Sequence, residues 1–261
     1  MDPISEKDFM ETYSRYDKPT DILKEYRETM NHQNKSSYKL SRELNIPRGR
    51  IREWKSGSKP DFIKGLEKAR KLELVDIGFS SDRFREINKL VSWVFSGGSI
   101  NKWYAPSFSI ENKQKQKLFQ EIAGELGFEY ELIRENKADK ATEARLKNHQ
   151  SIIGRALVAL GAPIGTQKTN GLTLPTYLKN KKCPIEIKKD FTGIYLINRG
   201  FHDRDNGMIR FREKRSKEYL KELCNLFKEA TNKKVSLSEK NLIIHGNPNE
   251  LSLLPGFSSY F

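Results

Sequence analysis

Leu90–Ile100, "LVSWVFSGGSI", decides how the chain is read. Leu90, Val91, Trp93 and Val94 form an apolar run broken only by Ser92, which reads as a buried helix that stops at Gly97 and Gly98. Charged residues make up 31% of the chain, yet the end of this helix carries none. Whether a chemically useful carboxylate stands there separates a hydrolytic site from a surface that only grips.

The composition narrows what such a surface could meet. The 261 residues are enough for two compact domains, and the 36% hydrophobic content fills ordinary cores. Lys and Arg number 48 against 34 Asp and Glu, a formal net charge of +14, which points to a polyanion, with nucleic acid as the leading candidate. No apolar run reaches the roughly 18 residues of a membrane span, and "MDPISEKDFMETY" has neither a basic leader nor an apolar core, so a cytoplasmic or nucleoid location is expected. Cys183 and Cys224 lack the close Cys or His pairs of a zinc site and are expected to be buried thiols, with no disulfide, metal or cofactor.

From Ser37 to Ser56, "SYKLSRELNIPRGRIREWKS" places apolar residues at Leu40, Leu44, Ile46, Ile51 and Trp54. These positions fit a helix-turn-helix, with the small Ser41 where two steeply crossing helices touch. Asn45 suits a turn residue with positive φ, and Pro47 suits the first turn of the second helix. That second helix would project Arg48, Gly49, Arg50, Arg52 and Glu53 outward, and arginine forks in a major groove can pair bidentately with guanine. Between Lys35 and Lys71 there are 12 Lys or Arg and 4 Asp or Glu, so 12 − 4 gives +8 in this segment alone. An earlier helix from about Thr20 to Met30 and a later one from Pro60 through Ala69 complete the bundle.

Beyond Val75 the pattern changes to amphipathic helices alternating with short period-two stretches. "FREINKLVSWVFSGG", "WYAPSFSI", "KQKQKLFQEIAGELG", "FEYELIR", "ARLKN" and "SIIGRALVALG" follow one another as helix, strand, helix, strand, strand and helix. "KKDFTGIYLINRGF", "GMIRFRE", a helix from Ser216 to about Ala230, "KVSLSE" and "NLIIHG" repeat the plan. "GAPIGTQKTNGLTLPTYLKN" joins the two copies as a turn-rich linker.

These segments, in this order, resemble the LAGLIDADG homing endonucleases and their non-cutting relatives. The resemblance implies an α+β fold: an N-terminal all-α helix-turn-helix bundle at 1–75, then a pseudo-symmetric two-repeat domain at 76–261 with antiparallel saddle sheets. Repeat one covers about 83–160, the linker 161–182 and repeat two about 183–248. It also implies that the two opening helices pack side by side through small residues, here Ser92, Ser96 and Gly193, and that each delivers an acidic metal ligand from its C-terminal end. The ligand positions fall at Gly97 and Asn198, followed at 199 by arginine where the family has glycine. Glycine offers no ligand, and an amide oxygen binds a hard divalent cation far less well than a carboxylate.

The expectation is therefore a sequence-specific double-stranded DNA-binding protein that does not cut, monomeric on an asymmetric site, acting as a transcription regulator or another chromosomal site-binding factor. Its expected DNA contacts are Arg48, Gly49, Arg50, Arg52 and Lys55 in the first domain. In the second they are Lys102, Tyr104, Arg199, Arg204, Arg210, Arg212 and Lys214, with no catalytic or metal residue. Two alternatives stand beside it: an active metal-dependent endonuclease using Asp203 and Asp205 of "HDRDNG", and an RNA-binding or splicing factor. In that acidic stretch the competing reading is a plain turn.

Overall fold

The computed structural model describes residues 3–13, 18–133, 142–165, 171–238 and 241–261. The N-terminal bundle consists of α1 (Glu6–Glu11), α2 (Pro19–Asn31), α3 (Ser37–Leu44), α4 (Arg48–Lys55) and α5 (Asp61–Lys71). The Ser36 hydroxyl caps α3 by accepting from the Lys39 amide. Asn45 takes the left-handed conformation (φ 54°) that the turn into α4 requires. Ser41 is small enough for the crossing, and its hydroxyl donates to Ile46 O at 2.7 Å, fastening the turn. Leu40, Ile46, Ile51 and Trp54 are buried, and Tyr26 of α2 meets the Trp54 ring edge-on at 5.5 Å. Pro47 stands at the N-cap of α4, one residue earlier than the first turn.

The rest of the chain is one plan used twice. Repeat one runs α6 (Asp82–Gly97), β1 (Gly98–Ile100), β2 (Pro106–Ser109), α7 (Lys113–Glu125), β3 (Tyr130–Ile133), β4 (Glu143–Leu146) and α8 (Gln150–Ala159). After α9 (Thr176–Lys179), repeat two runs α10 (Ile185–Arg199), β5 (Phe201–Asp203), β6 (Met208–Arg212), α11 (Lys217–Thr231), β7 (Val235–Ser238) and β8 (Asn241–His245). The strand orders β1-β2-β4-β3 and β5-β6-β8-β7 are the same, and both sheets are antiparallel throughout. The α+β architecture with two saddle-type half-domains is thus present. Each sheet buries one face under its long helix: Phe108 against Trp93 and Phe119 in repeat one, Phe211 against Tyr195 and Phe227 in repeat two.

The most extensive helix contact in the fold joins α6 to α10. Ser92 Oγ donates to Phe191 O at 2.6 Å, and Asn88 Nδ2 donates to Ile187 O at 2.9 Å, so short polar side chains of α6 bind the backbone of α10 directly. Arg85 adds two parallel hydrogen bonds, of 2.8 and 3.1 Å, to the buried carboxylate of Asp190. Gly193 does not serve this contact as expected. A Cβ there would lie 2.7 Å from Leu254, so its missing side chain makes room for the C-terminal segment.

Four further expectations change. β1 and β5 were not anticipated, because three residues are too few to show alternation. "WYAPSFSI" is strand only at Pro106–Ser109, with Trp103 and Tyr104 in the preceding turn. The 161–182 segment is more than a linker: Leu174, Tyr177 and Leu178 are buried, and Tyr177 Oη donates to Asn88 Oδ1 at 2.8 Å, while its residues 166–170 lie outside those described. Repeat two also extends beyond residue 248, through 3-10 turns at Pro248–Glu250 and Phe257–Tyr260 that bring Leu251, Leu253 and Phe257 into the core. Cys183 and Cys224 are buried free thiols, and burial pushes the Cys183 thiol up to about 11.

Gly98 is where α6 passes into β1, and a Cβ there would lie 2.7 Å from Ser107 O and 3.2 Å from Val94 Cα, both backbone atoms. Gly98→Ala is expected to destabilise the fold by about 1–3 kcal/mol. Gly49→Ala, in open space on α4, should stabilise by about 0.5–1 kcal/mol. Urea midpoints measure both, and an unchanged midpoint for Gly98→Ala would contradict the packing described.

Candidate nucleic-acid interface

The two opening helices end side by side. A Cβ on Gly97 would lie 3.3 Å from Asn198 Cγ, so the two positions singled out by resemblance do face each other. Asn198 Nδ2 donates to Ser96 Oγ at 2.9 Å, while its Oδ1 is buried without a partner. Neither glycine is a left-handed cap: Gly98 is extended (φ −140°), and α6 runs straight into β1. In the second repeat the corresponding junction glycine is Gly200, where a Cβ would lie 2.7 Å from Leu196 O and 3.0 Å from Ile209 Cγ2. The glycine expected at 199 therefore sits one residue later, and Arg199 is the exposed last residue of α10.

The tips thus present Ser96, Gly97, Asn198 and Arg199. A hard divalent cation takes carboxylate and carbonyl oxygens, and a set with no carboxylate and one guanidinium does not fit it. Among the described residues no group of three or more His, Cys, Asp or Glu is placed to hold a metal ion. A second cation lies behind the tip of α6: Arg215 donates to Phe95 O at 2.6 Å and pairs with Glu213 at 3.3 Å. Glu213 in turn accepts from Tyr195 Oη at 2.6 Å. Burial pushes the Tyr219 phenol beneath this arginine up to about 12. Sequence reasoning missed this network, since "REKR" has the composition of a solvated turn.

Asp203 and Asp205 do not form a ligand pair. Asp203 is buried, accepts from Asn206 Nδ2 at 3.1 Å and pairs with Arg210 at 3.3 Å, while Asp205 is exposed in the same turn. Gly207 (φ 60°) completes that turn. The plain turn reading of "HDRDNG" describes this segment.

The two saddle faces differ in charge. Across the outer face of the first sheet, Ser99, Ser107, Arg145 and Glu131 lie in register, and Arg145 is held by Glu143 at 2.6 and 3.1 Å. Across the second, Phe201, Arg210, Ile243 and Ser236 are in register, with Arg212 two residues along β6. Phe201 is 61% exposed, and the Arg210 guanidinium stands 5.8 Å over its ring. The second saddle is basic and the first nearly neutral.

Several expected contacts sit elsewhere. Lys102 and Tyr104 lie in the β1–β2 turn and not on a strand. Tyr104 turns inward, donating from Oη to Thr12 O at 2.6 Å, which removes it from the saddle. Arg204 is in the β5–β6 turn with its guanidinium on Phe261 O at 3.2 Å, and Lys214 follows the end of β6, exposed.

On the bundle, Arg48, Gly49, Arg50 and Arg52 are exposed along α4. Arg50 pairs with Glu25 at 3.2 Å and lies 5.9 Å from the Trp54 ring, which orients it. Arg48 and Arg42 flank the exposed Tyr38 ring at 6.0 and 5.9 Å, a cluster that sequence reasoning did not single out because Tyr38 and Arg42 belong to the other helix. Lys55 is turned back: its Nζ donates to Lys35 O at 2.6 Å.

This architecture is a two-repeat α+β fold, with two antiparallel sheets of the same strand order, preceded by a helical bundle that contains a helix-turn-helix. Solved structures similar to it include full-length DUF199/WhiA from Thermatoga maritima (TM-score 0.45, 13% identity, covering 73% of this chain and 62% of that one). The N-terminal LAGLIDADG domain of DUF199/WhiA is similar at TM-score 0.41 and 14% identity, over 73% of this chain and 86% of that one. I-DmoI in complex with DNA and Mn is similar at TM-score 0.39 and 13% identity, over 62% of this chain and 90% of that one. The chain thus spans less than two thirds of the full-length DUF199/WhiA structure. No protein-family model matches the sequence, and no curated protein matches it significantly.

The position of Lys55 makes its role separable from that of the exposed arginines. Lys55→Ala should lower stability by about 0.5–1.5 kcal/mol through the lost hydrogen bond and leave DNA sequence preference unchanged. Thermal melting beside a binding-site selection tests this, and an altered preference would place Lys55 among the base contacts.

Proposed function

We propose that the chain is a sequence-specific double-stranded DNA-binding protein that grips its site without hydrolysing it. The observation that carries this reading is the pair of helix tips, where Ser96, Gly97, Asn198 and Arg199 stand where two carboxylates would be needed. Two-metal hydrolysis of a phosphodiester needs ions to activate water and to stabilise the leaving oxygen, and these tips supply no charge to hold them. A fixed guanidinium at the same place attracts a phosphate instead.

Around the tips, exposed arginines on α4 are suited to base edges, and Arg210 and Arg212 on the second saddle to base or phosphate contacts. Bundle and saddle on one chain would cover an extended asymmetric site, so a monomer binds without a palindrome. Such a protein suits transcription regulation, or another chromosomal site-binding task on the nucleoid.

Plasmid incubated with the protein and Mg²⁺ or Mn²⁺ should stay supercoiled. Metal-dependent nicking abolished by Asp203→Ala would overturn the proposal in favour of a nuclease, and stronger competition by structured RNA than by duplex would overturn it in favour of an RNA-binding factor. Arg48→Ala or Arg50→Ala should cost roughly 1–3 kcal/mol on the preferred site and relax preference there. An equal loss on every sequence would make these arginines phosphate contacts.

A further inference from the structure

A cleft of about 550 Å³ opens where the bundle meets repeat one. Among the described residues, Lys64 and Lys68 of α5, Lys102 of the β1–β2 turn and Arg155 of α8 line it, four cations against the one carboxylate of Asp61. Among the described residues none of these four makes an ion pair. Elsewhere some surface lysines do pair with carboxylates, as in Lys59 with Glu67 and Lys233 with Glu250.

Arg155 is built into the cleft. Its guanidinium lies 3.7 Å from the Tyr13 ring centroid and 3.7 Å from that of Tyr104, one from each module. Its Nη1 donates to Thr12 O at 2.5 Å. The planar group is therefore held by two rings and one carbonyl, and no carboxylate among the described residues neutralises it. A guanidinium fixed this way is prepared to take the oxygens of a phosphate with little further loss of freedom. At the rim Trp103 is 71% exposed, with Lys102 Nζ 5.1 Å from its ring centroid.

We propose that this junction is a phosphate-binding cleft, and that the phosphates it takes are those of the DNA backbone between the site of the recognition helix α4 and the first saddle. The proposal rests on the DNA-binding reading above. It accounts for how the nearly neutral first saddle is held against a polyanion: the charge missing from its face stands at its edge, on Lys102, Lys64 and Lys68. These residues position the duplex and carry no sequence information.

The test is the salt dependence of duplex binding by the full chain. A triple variant, Lys64→Gln, Lys68→Gln and Lys102→Gln, is compared with Lys113→Gln, Lys117→Gln and Lys221→Gln, which removes equal charge from exposed positions on α7 and α11. The cleft variant should lose about 10-fold or more in affinity on specific and random duplexes alike, with the slope of log K against log salt smaller by about 3, roughly one per contact. The control variant should keep the wild-type slope. Equal slopes for wild type and cleft variant, or equal losses in both variants, would overturn the cleft while leaving DNA binding in place. Failure of the wild-type protein to bind any duplex would remove both. Calorimetry with AMP and inorganic phosphate separates the source: no binding below millimolar is expected. Micromolar AMP binding lost in the cleft variant would assign the cleft to a free nucleotide and overturn the DNA assignment.

Discussion

Every other feature of the second domain depends on how closely α6 and α10 approach. Polar groups fasten the approach beside the Phe95–Phe191 ring contact: the Ser92 hydroxyl and the Asn88 amide reach the backbone of α10, and Asn88 is itself held by Tyr177 from the segment between repeats. A larger residue at 92 would push the helices apart, and an apolar one would leave a backbone carbonyl competing for other partners. Because β1 begins at the residue after α6 and β5 two residues after α10, any change in helix spacing is passed to both sheets without a loop to absorb it. Gly98 and Gly200 make that direct passage possible, since a Cβ at either would meet backbone within 2.7 Å.

The same geometry brings guanidinium groups to the ends of both helices. Helix C-termini present unpaired carbonyls and favour a nearby cation. At α6 this is met by Arg215 on Phe95 O, and α10 ends in Arg199. In a metal-dependent arrangement those ends would be answered by ions held on carboxylates. Here guanidinium groups built into the chain occupy the neighbourhood, and they cannot give up their charge at any physiological pH. A guanidinium attracts phosphate but lowers no water's pKa in the way a bound metal does, which is the basis of the non-hydrolytic function proposed above.

What was legible in the sequence follows from the length of each signal. The helix-turn-helix could be read because Leu40, Ser41, Asn45, Ile46, Ile51 and Trp54 each answer a local requirement, and the structure meets them one by one. The duplication could be read from two long helices about a hundred residues apart. β1 and β5 could not, since three residues establish no period. Gly193 was assigned to the wrong neighbour because a small residue announces a close approach without saying what approaches, and Leu254 lies more than sixty residues downstream by sequence. The sequence could single out Gly97 and Asn198, which face each other at the helix tips. It could not single out the Glu213–Arg215–Tyr195 network, whose charged members lie in a run with the composition of a surface turn.

Under the proposed function, the junction between modules also bears on how the two halves would share one duplex. A flexible tether raises local concentration while leaving each module free to choose its own register. Arg155 clamped between Tyr13 and Tyr104, with Tyr104 and Arg155 both donating to Thr12 O, is the opposite arrangement. That ordering is completed on folding, so less entropy would be lost on binding a duplex. The consequence is a fixed offset between α4 and the saddles, and on a helical ligand a fixed offset is also a fixed phase. A chain that binds DNA as proposed would read spacing as well as sequence, because two correct half-sites at the wrong separation would face different sides of the duplex.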